Sequence, residues 1–159
     1  SFEYYMTSGT LALRAHDSGH RIHAAVRTHN GVGHSRTFPA LGGHPANRAA
    51  WERPLLIPGM SNDSDYRSSV VLYNPTTKPA AATIGVWDGN GAQVGATIAR
   101  ALAPYEMNVI TDELRANVYS NAVVRIEVAE SSDGSLLVTG QTANMHSNDP
   151  AAHIAVQAE

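Results

Sequence analysis

Apolar and polar residues alternate along much of this chain. Ile22, Ala24, Val26 and Thr28 interleave with Arg21, His23, Ala25, Arg27 and His29, the two-residue period of a strand with one buried face. Just upstream, Leu11, Leu13 and Ala15 interleave with Ala12, Arg14 and His16, and Ser18-Gly19 separates the two runs. A two-residue loop there sets Ala15 against Ile22, Leu13 against Ala24 and Leu11 against Val26. One face is then apolar throughout, and the other carries Arg14, His16, Arg21 and His23. Register and polarity agree on a β-hairpin.

The same phase returns near the other end. Val124, Ile126 and Val128 repeat the spacing of Leu11, Leu13 and Ala15. Ser131 answers Ser18, and after a one-residue shift Thr142 and Asn144 answer Thr28 and Asn30. Such repetition is expected of duplicated β modules and predicts a second hairpin turning at Ser132-Asp133-Gly134. Between the two lie Leu55-Leu56-Ile57-Pro58, a short strand ended by proline, and the polar loop Ser61-Asn62-Asp63-Ser64-Asp65. Residues 66–74 form a strand stopped by Pro75, and residues 81–87 and 92–100 flank the turn signal Asp88-Gly89-Asn90-Gly91. Residues 105–110 read as a strand, Thr111-Asp112-Glu113-Leu114 as a helical turn capped by Thr111, and residues 152–156 as a last strand. Residues 31–54 have little periodicity beyond a short strand at 35–38, and Gly42-Gly43-His44-Pro45 marks a turn or linker.

About ten short strands, turn signals about every 8 to 12 residues and almost no helix predict an all-β fold. The class is an antiparallel β-sandwich, jelly-roll or immunoglobulin-like, with at most one or two helical turns. A parallel sheet would need crossover helices for which the chain has no room. The expected organisation is one domain over residues 1–159, with 1–41 the remaining half of a preceding repeat and 54–159 the complete repeat.

Leu56-Ile57-Pro58, the polar loop, Tyr66-Arg67-Ser68-Ser69-Val70-Val71-Leu72-Tyr73-Asn74-Pro75, the Gly91 hairpin and Leu102-Ala103-Pro104-Tyr105-Glu106 follow in a telling order. It resembles that of tandem β-sandwich modules in secreted and surface proteins of bacteria. There an Arg-x-x-apolar-x-Leu-x-Asn strand precedes a Gly-bearing hairpin and a Pro-x-Glu step. The likeness covers residues 55–156, and residues 11–40 look like the tail of a preceding copy. The resemblance implies a structural or adhesive role outside the cytoplasm and supplies no catalytic residues.

Charged residues make up 16% of the chain, against about a quarter in an average soluble domain. Such a surface is either the neutral exterior of a secreted protein or one made to pack against copies of itself. A net charge of -3 argues against nucleic acid as a partner, which calls for a basic stripe. No apolar run approaches the roughly 18 residues of a membrane span. The absence of cysteine excludes a disulfide framework and a thiolate metal site but not export. A first residue of Ser1 without a signal-peptide pattern fits a processed form or an excised fragment.

Eight histidines, six of them from His16 to His44, are the main chemical feature. His16, His20 and His23 are the candidate zinc or copper ligands. The predicted pairing places His16 opposite Arg21 and His23 opposite Arg14, however, and guanidinium neighbours disfavour a cation. Asp63 and Asp65 are candidate calcium ligands without the twelve-residue pattern ending in glutamate, and Asp-Gly and Asn-Gly are also what tight turns require. There is no G-x-S-x-G elbow. Glu106, Glu113, Glu127 and Glu130 suggest no carboxylate pair around an apolar site, and Gly31-Val32-Gly33 lacks a following helix. The sequence thus offers no catalytic residue, no cofactor and no metal, and the expectation is a protein that is not an enzyme.

The aromatics Trp51, Trp87, Tyr4, Tyr5, Tyr66, Tyr73, Tyr105 and Tyr119 suit either a sugar-stacking platform or cross-strand packing. Val71 and Tyr73 fall on the face opposite Val70 and Leu72, so both faces of that strand are apolar, as in a central or partner-covered strand. Residues 1–7 read as a strand without a partner of its own. Tyr4, Tyr5, Val71 and Tyr73 are therefore the candidate self-association residues, acting through sheet edges and the Tyr4-Tyr5 terminus. The expected function is that of a structural module on the cell surface or outside the cell. It would pack with copies of itself or adjacent modules in a fibre, surface layer or tandem array. The alternative is a carbohydrate-binding module with surface polysaccharide as its partner.

Overall fold

A computed structural model describes residues 25–29, 35–39, 48–147 and 149–158. Strands β1 (Ala25–His29) and β2 (Ser35–Pro39) pair antiparallel, from Ala25 opposite Pro39 to His29 opposite Ser35. Alternation at the end of the first predicted strand thus forms a strand, and its described partner is the short run after Gly31-Val32-Gly33. Leu11, Leu13, Ile22 and Ala24, the rest of the predicted hairpin, lie outside the described residues.

The following elements are β3 (Arg48–Ala49), β4 (Leu55–Asn62), β5 (Tyr66–Tyr73), β6 (Ala80–Trp87), β7 (Ile98–Leu102) and β8 (Met107–Ile110). The single turn α1 (Asp112–Arg115) leads to β9 (Tyr119–Val128), β10 (Leu136–Asn144), β11 (Pro150–Ile154) and β12 (Val156–Gln157). They build two antiparallel sheets, ordered β11-β10-β5-β8, with β3 beside the start of β10, and β12-β4-β9-β6-β7. The fold is the predicted all-β sandwich, and its sheets are not closed. From β3 onward only the β6–β7 and β10–β11 connections stay within one sheet; every other connection changes sheet.

One such crossing replaces a predicted hairpin. β9 pairs with β4 and β6, whereas β10 pairs with β5 and β11 in the other sheet. Residues 129–135 arch between them and anchor on the start of β6. Ala129 N–H donates to Ala81 O (2.8 Å), Gly134 N–H to Pro79 O (3.2 Å), and Ala81 N–H to Ser132 Oγ (2.8 Å). Alternation does not separate the two outcomes, because a hairpin and an arch both turn Val124, Ile126, Val128, Leu136 and Val138 inward. Seven residues easily span the roughly 10 Å between packed sheets.

Proline does not end β4. Ile57 pairs with Val124, then Met60 with Ala122 and Asn62 with Tyr119, with register shifts between them. The exposed Pro58, which has no N–H for the ladder, sits in this bulge beside Gly59 at φ 78°. Tyr105 likewise belongs to a turn rather than a strand: its φ is 62°, and Glu106 N–H donates to Ala103 O (3.2 Å). Thr111 precedes α1 and its carbonyl accepts from Arg115 N–H (3.0 Å), but its side chain makes no capping bond.

The core lies between the sheets and draws on alternate positions of each strand. Leu55, Ile57 and Met60 of β4, Val70 and Leu72 of β5, Ile84 of β6, Val124 and Ile126 of β9, and Leu136 and Val138 of β10 are all essentially inaccessible to solvent. Aliphatic and β-branched chains fill it, as the scarcity of aromatics requires. Gly140 sets how closely the sheets approach. A Cβ there would lie 2.7 Å from Ile57 Cγ2 and 2.8 Å from Met60 Sδ, so β10 packs on β4 only because this position has no side chain.

Candidate functional site

β5 occupies the middle of its sheet between β10 and β8. Val70 and Leu72 are fully buried, while Val71 and Tyr73 are half-buried on the opposite face. The strand register supplies their neighbours. One row across the outer face reads Val109, Val71, Thr139 and Ile154; the next reads Met107, Tyr73, Leu137 and Arg48. Val109 and Ile154, at the ends of the first row, are 49% and 56% exposed. At an inter-strand spacing of about 4.8 Å this patch is roughly 14 Å across. Its one charged member is Arg48, at the margin.

The sequence singled out Val71 and Tyr73; topology adds Met107, Val109, Leu137 and Ile154. Their signal was present as outward positions in alternating strands, but only the strand order places them side by side. Tyr4 and Tyr5 lie outside the described residues. Of the edge strands, β8 has 4 residues, β12 has 2 and β11 begins with a proline, while β7, the other edge of the second sheet, has 5 residues and no proline. Short or proline-bearing edges resist strand addition, which leaves β7 as the edge with neither device.

The candidate metal positions divide in the same way. His16, His20 and His23 are outside the described residues. Asp63 closes the β4–β5 turn: its Oδ1 accepts from Asp65 N–H and Tyr66 N–H, both at 2.9 Å, and its own N–H donates to Tyr66 O (2.9 Å). That is the local bonding of an Asx turn. Asp65 reaches elsewhere. Its Oδ1 is 3.1 Å from His146 Nε2, and its carbonyl accepts from Met145 N–H at 2.7 Å. The β4–β5 turn is thereby joined to the β10–β11 turn, a pairing that residue spacing alone does not reveal. Among the described residues no three His, Asp or Glu side chains gather to hold a metal ion.

The Asp88 turn is also explained by its own backbone. Asp88 Oδ1 accepts from Ala92 N–H and Asn90 N–H, both at 2.9 Å, and Gly91 takes φ 80°. Those amides, Ala92 first, hold the Asp88 carboxyl below its ordinary value. Among the described residues no helix is long and apolar enough to cross a membrane. Comparison of the chain with protein-family models, curated proteins and solved structures returns no match.

Proposed function

We propose that this chain is a non-catalytic structural module that packs the outer face of its β11-β10-β5-β8 sheet against a second copy of itself. The observation that carries the reading is the pair of rows in which Val71 and Tyr73 sit among Val109, Ile154, Met107 and Leu137. Covering apolar surface is favourable by about 25 cal/mol per Å², and a two-fold arrangement lays the same patch on itself without juxtaposing charges. The low charge of the whole chain supports the same use. The likeness of residues 66–75 to surface modules supports a setting outside the cell, in a fibre, surface layer or tandem array.

Sedimentation velocity across a concentration series tests this reading. The unaltered chain is expected to gain mass with concentration. Val71→Glu and Ile154→Glu, both on the outer face, are expected to keep the circular dichroism of the fold and remain monomeric. A full-length chain that stays monomeric at millimolar concentration overturns the proposal.

A further inference from the structure

The other sheet carries a feature that the packing face leaves unused. Ala50 and Arg53 bracket a tight turn, with Ala50 N–H donating to Arg53 O (3.2 Å) and Arg53 N–H to Ala50 O (2.9 Å). Trp51 and Glu52 form its tip. Glu52 adopts φ 65°, a left-handed conformation in which glycine or asparagine is the unstrained choice. Trp51, one of the chain's two tryptophans, is held 49% exposed rather than in the core.

Both residues of the tip line an open groove of about 360 Å³, within the range of about 300–1,000 Å³ seen for small-ligand sites. Across from them are outward positions of the β12-β4-β9-β6-β7 sheet. Thr83 of β6 pairs with Glu127 of β9, and Arg125 Nη2 lies 2.6 Å from Glu127 Oε1. Arg125 Nε is shut off from solvent, while the rest of its part-exposed guanidinium faces the groove beside Glu127. The second tryptophan lies on the same face. Trp87 folds its benzene ring over Gly85, the strand partner of Arg125; a Cβ at Gly85 would come within 2.4 Å of Trp87 Cη2.

The chemistry of this lining narrows its ligand. Glu52 and Glu127 outnumber Arg125, which disfavours an anion. The guanidinium, together with the lack of a metal-holding cluster among the described residues, disfavours a metal ion. Three charged side chains are poor company for an apolar ligand. A neutral sugar meets every condition: its C–H face packs on an indole, while adjacent hydroxyls bridge carboxylate, guanidinium and threonine hydroxyl. We infer that the Trp51 turn and the Arg125–Glu127 pair form a binding site for a neutral saccharide chain, with Trp87 extending it along the sheet. This site is on the sheet opposite the proposed packing face and stands or falls separately.

Trp51 lines the groove and Trp87 covers Gly85, the strand partner of Arg125, so intrinsic fluorescence of the full-length chain reads binding directly. The probes are cello-, chito-, malto- and xylo-tetraose, with tetralysine as a cationic control and calorimetry as the second readout. At least one tetrasaccharide is expected to bind saturably. Trp51→Ala and Glu127→Gln are expected to weaken it by about tenfold or more, with circular dichroism unchanged because both positions are exposed. Val71→Glu, on the other sheet, is expected to bind as the unaltered chain does. The inference is overturned if none of the four sugars binds, if only tetralysine binds, or if both groove variants bind sugar undiminished.

Discussion

At Asn74, the last residue of the Arg-x-x-apolar-x-Leu-x-Asn segment, one buried amide holds several loops. Its Nδ2 donates to Lys78 O (2.7 Å) and Ala103 O (3.0 Å), while Oδ1 accepts from Thr76 N–H (3.0 Å) and Thr76 Oγ1 (2.7 Å). Asn74→Ala strips these partners together where water does not replace them, and is expected to cost about 2–4 kcal/mol in chemical denaturation. The motif was legible in the sequence. Its meaning was not, because Ala103 comes beside Asn74 only once β5, β7 and β8 are assembled. Tyr119 gives a second prediction at this scale. Burial raises its phenol above the ordinary 10.0, with the Ser68 hydroxyl partly opposing the shift. A raised folded value means that the unfolded chain ionises first. The contribution is therefore intact below about pH 10 and is lost as pH rises through the folded value. Alkaline unfolding is expected to be shallower in Tyr119→Phe than in the unaltered chain, as followed by circular dichroism.

Among the elements, β10 and β6 each depend on a missing side chain, with different consequences. Gly140→Ala drives a methyl against Ile57 and Met60 in the core and is expected to lower stability by about 1–3 kcal/mol. Gly85→Ala instead meets the far end of the Trp87 side chain on the outer face. It is expected to alter Trp fluorescence with little change in the denaturation midpoint. The strands were largely readable, since residues 55–57, 66–73, 81–87 and 123–128 carry their burial in their alternation. What failed was pairing. The run from Val123 to Asn144 scored as a hairpin because alternation records which side of a strand is buried, not which strand lies beside it. Pro58 and Tyr105 misled for a related reason. A bulge absorbs the proline, and a left-handed turn holds the tyrosine, against the usual preference of each residue. The packing face was half legible: Val71 and Tyr73 announced an apolar second side, while the rows around them exist only through the order β11-β10-β5-β8.

For the molecule as a whole, six of the nine ladders among the described residues join strands that are not consecutive in sequence. β4 pairs with β9, and β5 with both β8 and β10. Such topologies pay loop-closure entropy before they gain contacts, so refolding is expected on the millisecond-to-second scale typical of β-sandwiches, as stopped-flow measurement will record. The sheet-changing connections have another consequence. Residues 89–93 and 95–97, between β6 and β7, are exposed and make the natural place for a protease to nick the chain. A cut there gives one piece with β4, β5 and β6 and another with β7 to β12, and each piece supplies strands to both sheets. The first piece keeps the β1–β2 pair, but neither piece owns a whole sheet of the sandwich or its core. Cleaved protein should therefore elute intact from a sizing column and separate only in denaturant, and the separated halves should be unstructured alone yet regain the β spectrum when mixed.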